Sequence, residues 1–311
     1  MAIISVNNLV KKYKGAETNA VDGVSFDVAE GEFFALLGPN GAGKTTTISI
    51  LTTILSKTSG DVHVAGHDIE KEASEVRRRV GIIFQNQSLD QNLTAEENIR
   101  LHAILYGMYP FKVTFGAMPE EYKSRVYELS EVLGLSSKEI FKPIKTFSGG
   151  MKRKLEIIRS LMHKPKVLFL DEPTVGLDPL SRKNLWEYLS EVRAKEKTTI
   201  FLTTHYLDEA EDVDRVCIIN KGKVVSLGTP EDIKGKLLEH YVYVDAEERL
   251  KLRVELEEKK LRFDDSEYPV KVFLDGRSGQ EVVKMIDTEL NVLQIHQPTL
   301  EEAYLSVVEG K

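Results

Sequence analysis

The start of the chain alternates between apolar and polar positions, which is the period of strands with one buried face. Two such stretches are IISVNNLVKKY and AVDGVSFDVAEGEFFALLG, and the last strand is predicted to end at Leu37. The spacing then becomes helical over Thr45–Leu55. Two further short strands are predicted at VHVAG and VGIIFQ. The chain therefore begins as a strand-rich unit that contains one helix.

The spacing of apolar residues is helical from Leu93 to about Lys164. In EEYKSRVYELSEVLGL they recur every three or four positions, so they form one face of a helix. The residues on that face are Tyr122, Val126, Leu129 and Leu133. KRKLEIIRSLMHK has the same spacing, in a second predicted helix. Two helices that each carry one apolar face need to pack against other elements to bury it.

Short apolar runs and helical segments alternate in the next part of the chain. VLFLDE and TTIFLTTH flank a helix predicted around Ser181–Lys195, and VCIIN and KVVSLG follow as strands. The continuous runs VLFL and TIFL are typical of parallel strands that are covered on both faces. These patterns predict an α/β fold with a parallel sheet at its centre.

A break at Gly228-Thr229-Pro230 precedes a second alternation of strands and helices. Its predicted elements are a helix near Pro230–Leu238, YVYVDA, a helix over Glu247–Lys260, YPVKVFLD, a helix over Gly279–Leu290, VLQIHQP and a helix over Thr299–Val308. The alternation predicts a small α/β domain of its own. Since Glu and Lys are mixed along Glu247–Lys260, that helix is interpreted as a solvated face.

Composition excludes several classes of protein. The 311 residues include 42 Lys+Arg and 49 Asp+Glu, a net charge of −7, so nucleic acid is not an expected partner. No apolar run approaches the length of about 18 residues that a membrane span needs, and the first residues lack the features of a secretory signal. The one cysteine, Cys217, lies in the apolar segment RVCIIN and is expected to be a buried core residue. We therefore expect a cytoplasmic protein.

The strongest motif is GPNGAGKT, which matches the phosphate-binding pattern G-x-x-x-x-G-K-[ST] between a predicted strand and a predicted helix. Its residues are Gly38, Pro39, Asn40, Gly41, Ala42, Gly43, Lys44 and Thr45. Glycines let successive backbone N–H groups point at a polyphosphate, and the helix N-terminus adds positive potential. Lys44 is expected to reach the β- and γ-phosphates, and to face solvent without a nucleotide, while the Thr45 hydroxyl ligates Mg²⁺. A chance glycine-rich turn is the alternative, and the position after a strand argues against it.

Two carboxylates end the apolar strand VLFLDE. In a protein with a phosphate-binding loop, Asp171 at the strand end holds Mg²⁺ directly or through water. Glu172 lies one residue further on, where it can orient or deprotonate an attacking water. An acidic turn without function would be the better interpretation if the loop were absent.

Three further features are weak when each is taken alone. Ser148, Gly149 and Gly150 open a predicted helix, and a serine with two glycines there can bind a second anion. Gln85 and His205 each follow a predicted strand. A lone histidine or glutamine there is usually structural, but ligands of open α/β sheets bind at the carboxyl ends of the strands.

Taken together, these segments resemble the ATP-binding domains of ABC transporters. The phosphate-binding loop, Gln85, the Ser-Gly-Gly signature, the Asp-Glu pair, Gly176-Leu177-Asp178 and His205 occur in that family's order. The resemblance covers roughly residues 3–235. It implies a P-loop NTPase fold with a parallel sheet core, an antiparallel β subdomain and a helical subdomain. We expect an ATPase domain over residues 1–235, with its helical subdomain at about 90–165, and a small C-terminal α/β accessory domain over residues 236–311.

The resemblance also implies partners, because such domains work as head-to-tail pairs. Each ATP would lie between the phosphate-binding loop of one subunit and the signature of the other. Ser148, Gly149 and Gly150 would then contact the γ-phosphate held by the opposite subunit. Asp178 would lie at the seam of the dimer. The expected partners are a second copy of the ATPase subunit and a membrane permease.

Further site residues follow from the same resemblance, with ATP and Mg²⁺ as cofactors. Tyr13 would stack on the adenine, and Thr46 would belong to the phosphate site. Gln85 would ligate the metal and couple it to the membrane partner. His205 would hold the γ-phosphate and the attacking water.

GPNGAGKTTT, LDEPTVGLDP and PTLEEAYLSVVEG make the chain similar to the drug- and antibiotic-exporter branch of the family. The expected function is an ATPase subunit that energises a separate permease, exports drugs, antibiotics or lipophilic compounds, and lies on the inner face of the cell membrane. A soluble ABC ATPase of translation or DNA repair is the alternative, but such proteins usually carry two cassettes or a long coiled coil, and neither is evident. A P-loop kinase would not need the signature. The exported substrate is left open, as is the choice between homo- and heterodimer.

Overall fold

The fold is described from a computed structural model, which covers residues 2–85, 88–237, 239–296 and 299–308. The chain forms two compact units, Met1–Leu227 and Gly228–Lys311. This division by compactness falls a few residues before the domain boundary expected at residue 235. The short helix near Pro230 therefore belongs to the second unit.

The first unit contains two sheets and seven α-helices among the described residues. Its strands are β1 (Ala2–Lys11), β2 (Val21–Ala29), β3 (Phe33–Leu37), β4 (Ser59–Val64), β5 (His67–Asp68), β6 (Val80–Ile83), β7 (Val167–Asp171), β8 (Thr199–Thr204), β9 (Arg215–Asn220) and β10 (Lys223–Gly228). Its helices are α1 (Lys44–Leu51), α2 (Ala73–Arg79), α3 (Ala95–Leu105), α4 (Glu120–Val132), α5 (Gly149–Leu161), α6 (Pro179–Glu196) and α7 (Leu207–Glu211). Short β5, α2 and α7 are absent from the sequence-based prediction.

The larger sheet has the strand order β10-β9-β3-β8-β7-β6, and the five strands from β9 to β6 run parallel. Every residue of β3, β7 and β8 is buried. This confirms the prediction from their continuous apolar runs, since strands covered on both faces have no polar side to alternate with. Parallel strands end at one edge of the sheet, so the segments after β3, β6, β7 and β8 meet there.

The smaller sheet has the order β2-β1-β4-β5 and is antiparallel. Buried and exposed residues alternate along β2, as the sequence predicts, because one face of this sheet packs against the larger sheet. Phe26 of β2 lies between the two, with its ring 5.4 Å from that of Phe34 in β3 and 5.9 Å from that of Phe201 in β8. Cys217 in β9 belongs to the same core. Burial raises the pKa of its thiol to about 12.

The helices between β6 and β7 bury the faces that the sequence predicts. All four apolar residues of the predicted α4 face are buried, and so are Leu155, Ile158 and Leu161 of α5. α3 starts at a capping box in which Thr94 and Glu97 satisfy each other's backbone N–H groups. Ser148 caps α5, and its hydroxyl accepts a hydrogen bond from the Met151 N–H. The signature segment thus opens a helix, as expected.

The second unit is an antiparallel sheet with helices and a core of its own. Its elements are α8 (Pro230–Leu237), β11 (Tyr241–Asp245), α9 (Arg249–Glu258), β12 (Phe263–Asp264), β13 (Val270–Phe273), α10 (Gly279–Lys284), β14 (Val292–Ile295) and α11 (Leu300–Val308). The strand order is β12-β13-β11-β14. α10 is shorter than the predicted helix Gly279–Leu290. In the described parts of both units, no helix is long and apolar enough to cross a membrane.

Candidate functional site

The loop between β3 and α1 curves tightly under the edge of the larger sheet. A Cβ atom on Gly38 would lie 2.3 Å from the carbonyl oxygen of Ile219. Gly43 has a φ of +105°, and a Cβ there would lie 2.5 Å from the carbonyl oxygen of Ala20. Only glycine fits at either position. The loop delivers the chain to the N-terminus of α1, whose first N–H groups have no partner within the helix.

Lys44 is the first residue of α1, and only 4% of it is exposed. Its Nζ donates to the carbonyl oxygens of Gly38, at 2.8 Å, and Pro39, at 3.3 Å. The same Nζ lies 3.3 Å from Oε1 of Glu172. The expectation that this lysine faces solvent is therefore wrong, because the loop folds its own carbonyls and a carboxylate around the ammonium group.

Three of the predicted site residues have a side-chain nitrogen close to the carboxylate of Glu172. Besides Lys44 at Oε1, it has Nδ1 of His205 at 3.3 Å from Oε1 and Nε2 of Gln85 at 3.3 Å from Oε2. Its backbone has a φ of +46°, in the left-handed region. Its N–H donates to both the carbonyl and the hydroxyl of Thr203, at 3.1 Å each. These contacts bring together side chains from the ends of β6, β7 and β8.

Asp171 lies at the end of β7, and its carboxylate is buried. Its Oδ1 accepts a hydrogen bond from Thr203 Oγ1 at 2.5 Å and lies 3.4 Å from Thr45 Oγ1. Burial raises the pKa of Asp171, and the negative charge of Glu172 adds to this, while the two threonine hydroxyls act against it. Sequence reasoning missed Thr203. The signal was present, since Thr203 and Thr204 end the predicted strand TTIFLTTH, and this strand, β8, lies next to β7 in the sheet.

Lys44, Gln85 and Glu172 border a cleft of about 370 Å³, which Asp171, Thr203 and His205 do not line. The residues that line it are Ala20, Pro39, Asn40, Gly41, Gly43, Lys44, Thr45, Thr46, Gln85 and Glu172. Gly38 and Ala42 belong to the same loop but are buried, and they do not line the cleft. Tyr13 is 44% exposed, and its hydroxyl is 3.2 Å from Oγ1 of Thr46, which places it beside the cleft. An open, mostly polar cleft with a cationic side chain at its floor can hold a polyphosphate.

The signature segment is not part of that cleft. Ser148 and Gly150 line a different cavity, of about 410 Å³, which shares no lining residue with the first. A Cβ on Gly149 would meet nothing within 4 Å. Asp178 caps α6 by accepting hydrogen bonds from the N–H and the hydroxyl of Ser181, and these bonds lower the pKa of its carboxyl. The phosphate-binding loop and the Ser-Gly-Gly segment therefore lie at two separate cavities.

Comparison with known proteins identifies the family. The family model described as ABC transporter matches residues 21–175. The linearmycin resistance ATP-binding protein LnrL of Bacillus subtilis is 42% identical over 229 residues, which are 73% of this chain and 70% of that protein. The daunorubicin/doxorubicin resistance ATP-binding protein DrrA of Streptomyces peucetius is 40% identical over 235 residues, 75% and 67% of the two chains. A Nod factor export ATP-binding protein I of Burkholderia thailandensis is 37% identical over 292 residues, 90% and 91% of the two chains.

The fold agrees with solved structures of the same kind. An ATP-binding cassette solved as a dimer in a post-hydrolysis state with ADP and Pi superposes with a TM-score of 0.64. It is 26% identical in sequence, and the match covers 73% of this chain and 98% of that one. The chain belongs to the ABC transporter family, as an ATP-binding subunit. It is an ATPase, and ATP is its nucleotide.

Proposed function

We propose that this chain is the ATP-hydrolysing subunit of an exporter for drugs, antibiotics or other lipophilic compounds, and that it energises a separate permease. The observation that carries the proposal is the convergence of Lys44, Gln85 and His205 on the Glu172 carboxylate, at the mouth of a phosphate-binding loop. Two relatives are named for resistance to linearmycin and to daunorubicin and doxorubicin, which supports export of such compounds. Binding to the permease would hold the subunit at the inner face of the membrane.

The proposal assigns roles to the loop, to Tyr13 and to the polar residues around Glu172. The backbone of Gly38–Thr46 cradles the phosphates, and Tyr13 stacks on the adenine. When ATP binds, Lys44 leaves the loop carbonyls and Glu172 and contacts the γ-phosphate instead. Glu172 is then free to accept a proton from the attacking water, and His205 orients that water and the γ-phosphate.

The donor set around Asp171 fits a magnesium ion. Thr45 Oγ1 and the Asp171 carboxylate are hard oxygen ligands 3.4 Å apart, and Gln85 adds an amide oxygen. Among the described residues, no cluster of three His, Cys, Asp or Glu could hold a metal ion by itself. The ion would neutralise charge on the β- and γ-phosphates, and its own charge would offset the burial that raises the pKa of Asp171.

The separate location of the signature supports a functional dimer of two copies. Ser148 and Gly150 do not border the cleft of their own chain, so they are available to complete the cleft of another. Gly149 has open space at its Cβ position, as a residue needs if a phosphate is to approach its backbone. Asp178, which caps the helix after the Asp-Glu pair, would lie at the seam.

The test is ATP-driven dimerisation of a variant that cannot hydrolyse. Glu172→Gln should retain ATP binding, lose turnover by about 10² or more, and accumulate a dimer with ATP in size-exclusion chromatography. Adding Gly149→Asp places a carboxylate against the γ-phosphate of the opposite chain, where like charges repel. The double variant should bind ATP as a monomer and fail to dimerise.

Gly116→Asp serves as the matched control, because this glycine also has nothing within 4 Å of its Cβ position and, like Gly149, has no left-handed backbone. It lies outside the phosphate-binding loop, the signature and the predicted seam, so it should leave ATP-driven dimerisation unchanged. Full dimerisation of the Glu172→Gln/Gly149→Asp protein would refute the sandwich. Turnover at the wild-type rate in Glu172→Gln would refute the role of the glutamate.

A further inference from the structure

A buried ion pair lies one helical turn beyond the signature. Arg153 and Glu156 are both on α5, with Nη1 of Arg153 3.1 Å from Oε2 of Glu156 and side-chain exposures of 7% and 2%. Burial lowers the pKa of the Arg153 guanidinium, which reflects the cost of removing this cation from water. Replacing a buried ion pair by apolar groups of similar volume is often neutral or stabilising. Stability alone therefore does not account for this pair.

The remaining donors of Arg153 reach two segments of the candidate site. Nη1 donates to the carbonyl oxygen of Phe84 at 2.6 Å, and Phe84 directly precedes Gln85. Nε donates to the carbonyl oxygen of Pro173 at 3.0 Å, and Pro173 directly follows Glu172. One planar guanidinium thus spans the backbone on either side of the Gln85–Glu172 contact.

The far end of the Gln85 segment is held by the same helix. Oε1 of Glu156 accepts a hydrogen bond from the N–H of Ser88 at 2.8 Å. Arg159, one turn further along α5, donates to the Ser88 carbonyl at 2.9 Å and to its hydroxyl. Phe84 and Ser88, on either side of Gln85, are therefore both bonded to α5, through backbone atoms and the Ser88 hydroxyl.

We infer that Arg153 and Glu156 are positioning residues, which hold Gln85 and Glu172 in a fixed relation to the signature at the start of α5. This inference rests on the proposed roles of those residues. A rigid helix that carries Ser148–Gly150 at its N-terminus and this pair one turn later moves as one body. When the signature engages the ATP of a second chain, the same displacement reaches the two side chains that face the first chain's own nucleotide.

The pair then links the two nucleotide sites of a dimer. A chain whose signature has not engaged a nucleotide holds its Gln85 and Glu172 segments in one position, and engagement shifts them together. Arg153 suits this task because its donors form a rigid fork that can bond two carbonyls at once. A lysine carries its three donors on one nitrogen at the end of a flexible chain, so it lacks the planar fork that presents Nε and Nη1 to two carbonyl groups in fixed directions.

The experiment compares Arg153→Met/Glu156→Met with the wild-type chain. The double substitution removes both charges together and so leaves neither buried without its partner, and the variant should fold, which its unfolding temperature checks. Turnover should nevertheless fall by about 10- to 100-fold, the scale expected when catalytic groups are misplaced by about 1 Å. KM for ATP and the affinity of the isolated chain for ATP should stay near wild-type values, because the phosphate-binding loop is untouched.

Arg125→Met/Glu196→Met is the matched control. Arg125 is equally buried, lies 2.6 Å from Glu196 and donates to the carbonyl oxygen of Leu161, at the opposite end of α5 from the signature. It contacts neither site segment. This variant should keep wild-type turnover. An equal loss of turnover in the control would overturn the inference. Loss of any buried ion pair that packs against α5 would then be enough to slow hydrolysis.

Arg153→Lys separates anchoring from charge. It retains a cation for Glu156 but replaces the two nitrogens that bond Phe84 and Pro173 by one flexible ammonium group, so turnover should fall in the same direction as in the double variant. Wild-type turnover in Arg153→Lys, or in a folded Arg153→Met/Glu156→Met protein, would refute the inference while leaving the ATPase proposal intact. Failure of the proposed ATPase mechanism would be recognised by a different result, which is wild-type turnover in Glu172→Gln.

Discussion

Glu172 is the residue on which the geometry of the cleft depends. A non-glycine residue in the left-handed region costs about 1–3 kcal/mol, and such residues persist only where their surroundings fix them. Here the N–H of Glu172 is bonded to the Thr203 carbonyl and hydroxyl, on the neighbouring strand. The backbone turn points the carboxylate back toward Lys44. A single strand end therefore supplies two carboxylates with different tasks.

The burial of Lys44 changes what its removal should do. Lys44→Ala removes the cation that would face the phosphates, so the affinity for ATP and the turnover should both fall. It also leaves Glu172 buried beside no cation, which should destabilise the protein without nucleotide by about 1–3 kcal/mol. Calorimetry with ATP and urea unfolding without it measure the two effects.

The control for this prediction is Lys44→Ala/Glu172→Gln. Neutralising the stranded carboxylate should restore most of the stability and none of the ATP affinity. If Lys44→Ala alone unfolds at the same urea concentration as the wild type, the contact between Lys44 and Glu172 contributes nothing to the apo protein. Unchanged ATP affinity would contradict the phosphate role of the lysine.

At this scale, sequence reasoning predicted the identities in the cleft but not their contacts. Lys44, Gln85, Glu172 and His205 were each placed by a motif or by a strand end. Their convergence on one carboxylate depends on the order of parallel strands, which no local pattern encodes. The orientation of Lys44 was missed because the loop's own carbonyls compete for the ammonium group.

Among the secondary-structure elements, the helices between β6 and β7 were predicted well because their apolar faces repeat strongly. α10 was not, and the reason is a tertiary contact. The N–H groups of Asp287 and Thr288 donate to the carboxylate of Glu255 on α9, so the chain leaves the helix there. Although burial acts against it, these bonds and those from Lys259 and the Thr288 hydroxyl lower the pKa of Glu255 to about 2. No helix propensity predicts that stop.

The packing of α3 against α5 should make stability depend on pH. His102 of α3 lies beside the rings of Tyr106 and His163, and its Nε2 is buried without a hydrogen-bond partner. Burial, then the positive charges of Arg159 and His163, lower the pKa of His102 to about 3 from 6.5. Between these values the unfolded chain binds a proton that the folded chain does not. Stability should therefore fall as the pH drops below about 6.5, by about 1–2 kcal/mol at pH 5.

His102→Gln should flatten this part of the pH profile, as measured by urea unfolding at pH 7 and pH 5. Leu105→Gln, on the exposed side of the same helix, is the control and should retain the wild-type slope. An unchanged slope in His102→Gln would mean that other groups account for the loss of stability in acid.

Among the described residues, each compact unit has a hydrophobic core that the other does not share. The break at Gly228 and the alternation of strands and helices after it indicated a second domain, and the antiparallel direction of its strands was left open by the pattern. Strand direction is decided by which strands pair, and here β11 pairs with β13 and β14, across intervening helices. Sequence alternation alone cannot distinguish such pairing from a parallel sheet.

Two cores predict that the units can be destabilised one at a time. Leu256 of α9 is fully buried, and Leu256→Ala should cost the second unit about 2–5 kcal/mol. The rate of ATP hydrolysis, measured below the unfolding transition, should stay unchanged because the cleft lies in the first unit. Leu250→Ala on the same helix, at a position 83% exposed, should change neither quantity. Loss of hydrolysis in the folded Leu256→Ala protein would show that the second unit supports the cleft.

Cys217 makes the chain suitable for site-specific spectroscopy. Thiol reagents attack the thiolate, and a buried thiol with a pKa near 12 supplies almost none at neutral pH. A cysteine introduced at an exposed site such as Leu105 would therefore carry a fluorophore or spin label alone, with no need to delete the native one. In a pair of identical chains the two labels would report the distance between protomers with and without ATP. Slow labelling of Cys217 itself would time the opening of the central sheet.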